Sequence, residues 1–207
     1  MTVPSLPSGY DETHHVQAGQ PDCHITVGFN QQHRHIPQFI VQLHYRVSAD
    51  PTDWVEIARM DHNETSVTGH DVYQEGLHVD IHRETKSTVH LQVGHGQLPR
   101  KIGSVIRGCG QYLRREATYF IEVYEEQRPP GSPPNWRPDG GGLTHTLISL
   151  NPLSGDMSQE SPVEDAISLE ELDEILAEAT GTTPEEIRRG AEELEIAPPW
   201  EADIVEE

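Results

Sequence analysis

Apolar and polar positions alternate with a period of two in several stretches of this chain and recur with a helical period in others. The clearest run covers residues 36–47. There Phe39, Val41, Leu43, Tyr45 and Val47 alternate with Ile40, Gln42, His44 and Arg46, the signature of a strand with one apolar face. Asp50-Pro51-Thr52-Asp53 reads as a turn, and residues 54–60 form a second strand, so an antiparallel hairpin is predicted. Residues 77–82 and 87–93 alternate in the same way and are joined by Arg83-Glu84-Thr85-Lys86 into a second hairpin. Residues 61–76, polar and containing Gly69 and Gly76, read as a long loop. Before residue 36, Pro4, Pro7, Gly9, Gly19 and Pro21 break any period. An irregular N-terminal segment, 1–35, is expected there, with one short strand at 24–29.

Residues 101–127 carry Ile102, Val105, Ile106, Cys109, Tyr112, Leu113, Phe120 and Val123 at spacings of three, four and seven, which predicts one long helix. Gly103, Gly108 and Gly110 weaken its first half by about 1 kcal/mol each relative to Ala. The predicted fold class is α+β: an antiparallel sheet of four or five strands covered on one face by that helix, within residues 36–127. Residues 128–142 (RPPGSPPNWRPDGGG) read as a Pro/Gly linker. Residues 143–207 read as an acidic segment with two short helices and, at 143–150, one possible further strand. Ser168-Leu169-Glu170-Glu171 is a capping box that opens the first helix, which Gly181 ends, and Thr183 with Pro184 opens the second.

The charge sharpens this division. The 207 residues carry a formal charge of -21. Residues 156–207 hold 18 acids and 2 bases (net -16), which leaves -5 for the rest. Such a segment is either a solvated, solubilising tail or a docking surface for a basic protein partner. Only Lys86 and Lys101 are lysines, against 12 arginines; low lysine with excess acid resembles salt-loving archaeal proteins, and a GC-rich genome gives the same bias. No apolar run approaches the roughly 18 residues of a membrane helix, so no membrane association is expected. Residues 1–10 lack the charged and apolar regions of a secretory signal. Cys23 and Cys109 form no paired motif, which fits a reducing cytosol, and a cytoplasmic protein is expected.

Thirteen histidines are the chief candidate chemistry. His44 and Arg46 fall on the polar side of the first strand, His78, Asp80 and His82 on that of the third, and His90 on that of the fourth. In one sheet they would share a solvent-facing surface. Three uses of such a surface compete. Imidazoles titrate near neutral pH and an Arg stabilises developing negative charge, which suits general acid/base catalysis. His78-x-Asp80-x-His82 is also a ligand-type series, but alternate side chains on a strand stand about 7 Å apart, too wide for one small ion without distortion. A polar outer face with no chemistry is the third. No phosphate loop, nucleophile elbow, dinucleotide fingerprint or HExxH motif is present, and neither a cofactor nor a resident metal is expected. Cys109 sits on an apolar helix stripe and is expected in the core.

Phe39–Arg46 (FIVQLHYR), Arg59-Met60-Asp61-His62-Asn63, Gly69-His70-Asp71 and Glu75-Gly76-Leu77-His78, ending in the helix at 101–127, resemble a small uncharacterised domain common in archaea. This layout is more distantly similar to the TumE-like toxins of toxin–antitoxin pairs. The resemblance implies a metal-independent ribonuclease, with RNA as substrate and a cognate protein as partner. The candidates it carries over are Arg46 for charge stabilisation and Asp61, His62, Asn63, His70 and His78, the histidines serving as acid and base. The toxins' basic loop is not reproduced, since Glu64, Asp71 and Glu75 stand in its place, and phosphate contacts supply most of the affinity for nucleic acid. The alternative is a non-enzymatic interaction module working through the acidic C-terminal helices.

Overall fold

The structure is a computed structural model and describes residues 3–49, 52–66, 70–94, 98, 101–133 and 166–205. Its centre is an antiparallel meander of seven strands, each paired with the next: β1 (Glu12–Gln17), β2 (Cys23–Gln32), β3 (His35–Ala49), β4 (Thr52–Asn63), β5 (Leu77–Ile81), β6 (Val89–Gly94) and β7 (Asp203–Val205). Five helices accompany it: α1 (Val72–Glu75), α2 (Ile102–Arg115), α3 (Ala117–Tyr124), α4 (Leu169–Thr180) and α5 (Pro184–Glu192).

This corrects the expected sheet of four or five strands under one long helix, for four physical reasons. First, residues 1–35 hold two paired strands where one short strand was expected: the strand at 24–29 is part of a longer β2, and β1 is additional. The two pair from Glu12↔Phe29 to Gln17↔His24. β1 is an edge strand with a single fully buried residue, Val16, and β2 is buried on both faces at its centre, so neither shows polar contrast. Second, β4 does not stop at Met60 but runs to Asn63, and α1 occupies part of the expected loop. Third, β7 comes from the acidic tail, where three residues give no period to read. Fourth, the helix breaks at Glu116, whose φ of -95° and ψ of 10° leave the helical region. α2 lies against β2 to β4 and α3 against β4 and β5, and one straight rod would not follow so wide a twisted sheet. The strand expected at 143–150 and most of the linker lie outside the described residues.

One face of the sheet is dry. Val27, Phe29, Phe39, Val41, Leu43, Met60, Val79 and Leu91 point from it into the core and are fully buried. Burying each such side chain stabilises by about 1.5–3 kcal/mol. α2 covers this face and is itself covered by α4 and α5, so it is buried continuously from Ile102 to Gly110. Its glycines are the contact. A Cβ at Gly103 would stand 2.8 Å from Ile187 Cδ1, and one at Gly108 would stand 2.6 Å from Leu194 Cδ2.

The acidic helices are tied down by their own chemistry. Both capping boxes form, Ser168 with Glu171 and Thr183 with Glu186, and Gly181 ends α4 with a left-handed φ of 66°. Ile167 bridges the edge of β1 at Val16. Arg107 Nε donates to Asp173 Oδ1 over 2.8 Å, a pair in which the Asp173 side chain is 0% exposed. No helix among the described residues is long and apolar enough to cross a membrane.

Breaking a buried pair by removing one partner strands the other charge. Asp173→Ala is expected to destabilise the fold by about 3–5 kcal/mol, read as a lower urea midpoint. Glu185→Ala removes the exposed partner of Arg188 and is expected to shift stability by less than about 1 kcal/mol.

Candidate acid/base site on the wet face of the sheet

The other face of the sheet is polar because of which residues alternate, and because of one irregularity in β4. The register of β3 and β4 shifts between Leu43↔Ala58 and His44↔Glu56, so Ile57 is an extra residue. A bulge of this kind lets two side chains, here Glu56 and Arg59, meet the same face although their spacing is odd. Past the bulge, Arg59, Asp61 and Asn63 look outward while Ala58, Met60 and His62 look into the core. β4 and β5 pair only at Ala58↔Ile81 and Arg59↔Asp80 and then diverge, with α1 filling in beside them. The divergence opens a basin of about 740 Å³ on the wet face.

Three hydrogen-bonded groups line or border it. At one side His70 Nδ1 lies 2.5 Å from Glu75 Oε2, and His70 Nε2 lies 3.0 Å from the Gly76 carbonyl and 3.0 Å from His78 Nδ1. Both His70 nitrogens thus face acceptors, and an N–H on each would satisfy both. His78 Nδ1 then accepts, and its own proton sits on Nε2. Burial, with His70 beside it, holds His78 below the usual imidazole value. In the middle, Arg59 Nε donates to Asp80 Oδ2 over 3.0 Å, and Asp80 Oδ1 takes a 2.7 Å bond from His90 Nδ1. Asp61 stands 3.8 Å from Arg59. Burial pushes its carboxyl up, although Arg59 opposes the shift. At the rim, His82 bonds Glu56 over 2.9 Å and Thr88 over 3.1 Å. Burial works against the charged Glu56, but the bond and charge of His82 outweigh it and hold the carboxyl below its usual range.

Glu56 also accepts from Gln42, which links the basin to a second histidine group over β1 to β3. There His24 Nε2 and His15 Nδ1 are 2.9 Å apart, Thr26 Oγ1 is 3.0 Å from His44 Nε2, and Trp54 meets His24 edge-on at 5.9 Å. Burial pushes both His24 and His44 down to about 4, helped by the neighbouring His15.

The sequence candidates separate accordingly. Asp61, Asn63, His70 and His78 line the basin, and His62 borders it with its ring turned into the core. Arg46 does not: it holds Asp22 at the far end of β3, through its side chain and through a 2.9 Å bond from its backbone N–H to the Asp22 carbonyl. His62 faces the core. Its ring packs on Phe39 at 5.6 Å, it is 0% exposed, and its Nδ1 accepts from Val72 N–H over 3.3 Å. Burial lowers its basicity. Arg59, Glu75 and Tyr10 were not among the candidates. The bulge at Ile57 is what puts Arg59 on the same face as Glu56; nothing in the pattern marks Tyr10. His78, Asp80 and His82 each bind a different partner, and among the described residues no group of three His, Cys, Asp or Glu is placed to hold a metal ion. Both cysteines are free and buried. Burial raises both thiols, that of Cys23 to about 12.

A family model described as a domain of unknown function, DUF7718, matches residues 10–130. Comparison with curated proteins and with solved structures gives no match.

The lowered histidines make stability depend on pH. Because His24 and His44 titrate near 4 in the fold and at 6.5 otherwise, the unfolded chain takes up protons first as pH falls. Their contribution is complete above about 6.5 and drains away between 6.5 and 4, at up to about 1.4 kcal/mol per unit for each ring. Denaturation midpoints are expected to fall from pH 6.5 to 5, above the range of ordinary carboxylates, and His44→Gln is expected to flatten that slope.

Proposed function

The chain belongs to the DUF7718 family, and for this member we propose that the basin is a metal-independent acid/base site acting on a small polar substrate. The observation that carries the reading is the hydrogen-bonded series Glu75–His70–His78, which ends at a ring lining the basin together with Asp61 and Arg59. His78 gives its Nε2 proton to a leaving group while its Nδ1 takes the Nε2 proton of His70. His70 keeps its Nδ1 proton on Glu75, so each ring ends neutral and one proton has moved to the substrate. Asp61 removes the proton of the attacking water or hydroxyl. Its raised pKa brings it closer to neutral pH, where a base works best. Arg59 lies where developing negative charge is stabilised.

The electrostatics favour a neutral or cationic substrate. Leaving the histidines aside, Asp61, Glu75 and Asp80 line the basin against the single Arg59, and a polyanion would meet three carboxylates. The ribonuclease reading keeps the same acid and base but puts Arg59 in the place of Arg46. A second reading, a protein-interaction module on the acidic helices, draws on the exposed Glu170, Glu174, Glu178 and Glu192. The apolar stripes of those helices are already buried against α2.

Purified protein in EDTA is assayed on a small carboxylic ester, a small phosphodiester and total RNA. Turnover of the ester is expected to survive chelation and to fall about 10²–10⁴-fold in His78→Phe and in Asp61→Asn. Cleavage of RNA in preference to the small substrates would establish the ribonuclease reading instead. No turnover on any substrate, or variants as fast as the parent chain, would overturn the catalytic proposal.

A further inference from the structure

The family match stops at residue 130, yet one wall of the basin is Val205. Val205, Ile204 and Asp203 pair with His90, Leu91 and Gln92. Alternation therefore sets Val205 on the wet face beside His90 and turns Ile204 the other way, toward Gly131. The approach to this strand is firmly held. Ala197 N–H donates to Val93 O over 2.7 Å, and Trp200 packs on Tyr119 at 6.1 Å. Beyond Ala202 the hold weakens, because all three residues of β7 are exposed, Ile204 at 57% and Val205 at 37%.

At the other side of the basin stands Tyr10. The segment carrying it is pressed onto β2: a Cβ at Gly28 would lie 2.8 Å from Pro7 Cγ and 2.9 Å from Tyr10 Cγ. The wet face of a meander is a trough that runs across its strands and is open at both edges unless something stands there. Here β7 stands at one edge and the segment carrying Tyr10 lies across the face over β2; β7 is a three-residue strand with little buried surface.

We infer that β7, supplied from outside the family's domain, is the size-limiting wall of the basin. While it is paired with β6 the site admits compact molecules and excludes a chain segment laid across the sheet. Opening requires only that the residues after Ala202 release β6, since the upstream anchors at Ala197 and Trp200 stay in place. The substrate class follows from the reading of the basin as a site, but the wall itself is a matter of access and is measurable without turnover.

Diethyl pyrocarbonate is applied to the full chain, to a chain ending at Ala202, and to full-length Val205→Ala and Val205→Trp, with modification of each histidine followed by mass spectrometry. His90 and His78 are expected to react several-fold faster in the shortened chain and in Val205→Ala, and more slowly in Val205→Trp. The exposed His33, remote from β7, is the internal reference and is expected to react alike in all four. Equal rates for His90 and His78 across the four proteins overturn the inference. Should the shortened chain lose its cooperative melting transition, the two full-length variants decide the matter. A catalytic proposal that fails for want of any substrate leaves this readout intact, and a wall that fails leaves turnover to be judged by the His78 and Asp61 variants.

Discussion

The fold depends on keeping one face of a seven-stranded meander away from water, and α2 is the main element that does this, with α3 over β4 and β5. The position of α2 is unusual for a helix on a sheet because water is excluded from both of its sides. The sheet lies against one and the α4–α5 pair against the other. An all-round apolar sequence would serve, but α2 instead has Gly103 and Gly108 on the side of α5 and the residues just after it, where a Cβ would crowd the terminal methyls of Ile187 and Leu194. Glycine costs helix propensity of about 1 kcal/mol at each position, and closer packing of two helices offsets it. The acidic C-terminal segment is in this sense part of the core of the domain. The buried Arg107–Asp173 pair joins it to α2 at a point where an apolar contact would have been indifferent to register.

The same alternation that dries one face fills the other with histidine. A wet face near the middle of a wide sheet is only partly wet: His24 and His44 are 3% and 7% exposed. Lysine there would be buried with its charge, whereas imidazole can be neutral and still offer one donor and one acceptor. Each ring then needs a polar neighbour, and the neighbours are other histidines, Thr26, Thr88 and carboxylates. Glu56, reached by Gln42 from one side and His82 from the other, joins the two histidine groups into one hydrogen-bonded sheet surface. The contrast within it is chemical. His24 and His44 are held neutral and close-packed, which suits structure; around the basin the rings face carboxylates and open space, which suits proton transfer.

What the sequence revealed followed the strength of its alternation. β3, β5 and β6 were legible because large apolar side chains recur against polar ones, and the shared outward face of His78, Asp80, His82 and His90 came with them. β1 and β7 were not, since an edge strand of six residues and a strand of three bury too little to show a period. The capping residues of α4 and α5 were legible because a capping box is local chemistry. The helix break at Glu116 was not, because it answers to the twist of a sheet whose full width includes β1 and β7, the strands without a readable period. His62 and Arg46 misled for related reasons. His62 reads as a loop residue until β4 is carried past Met60, and Arg46 is on the right face but too far along its strand, where Asp22 holds it. One inserted residue, Ile57, decided that Arg59 rather than a neighbour faces the basin.

The bulge and the parting of β4 from β5 also explain why a basin exists at all. A fully paired meander offers a shallow corrugated surface, and side chains 4.7–4.9 Å apart on adjacent strands leave no room for a ligand. Here pairing between β4 and β5 ends after Arg59↔Asp80. The outward residues beyond that point, Asp61 on one strand and His78 on the other, therefore stand on diverging backbones. The backbone groups freed by the divergence are partly satisfied by the intervening segment, as when Asn63 N–H donates to the His70 carbonyl. That bond also fixes the segment on which His70 and Glu75 approach His78. The opening of the basin and the assembly of the histidine series are thus two consequences of one unpaired stretch of sheet.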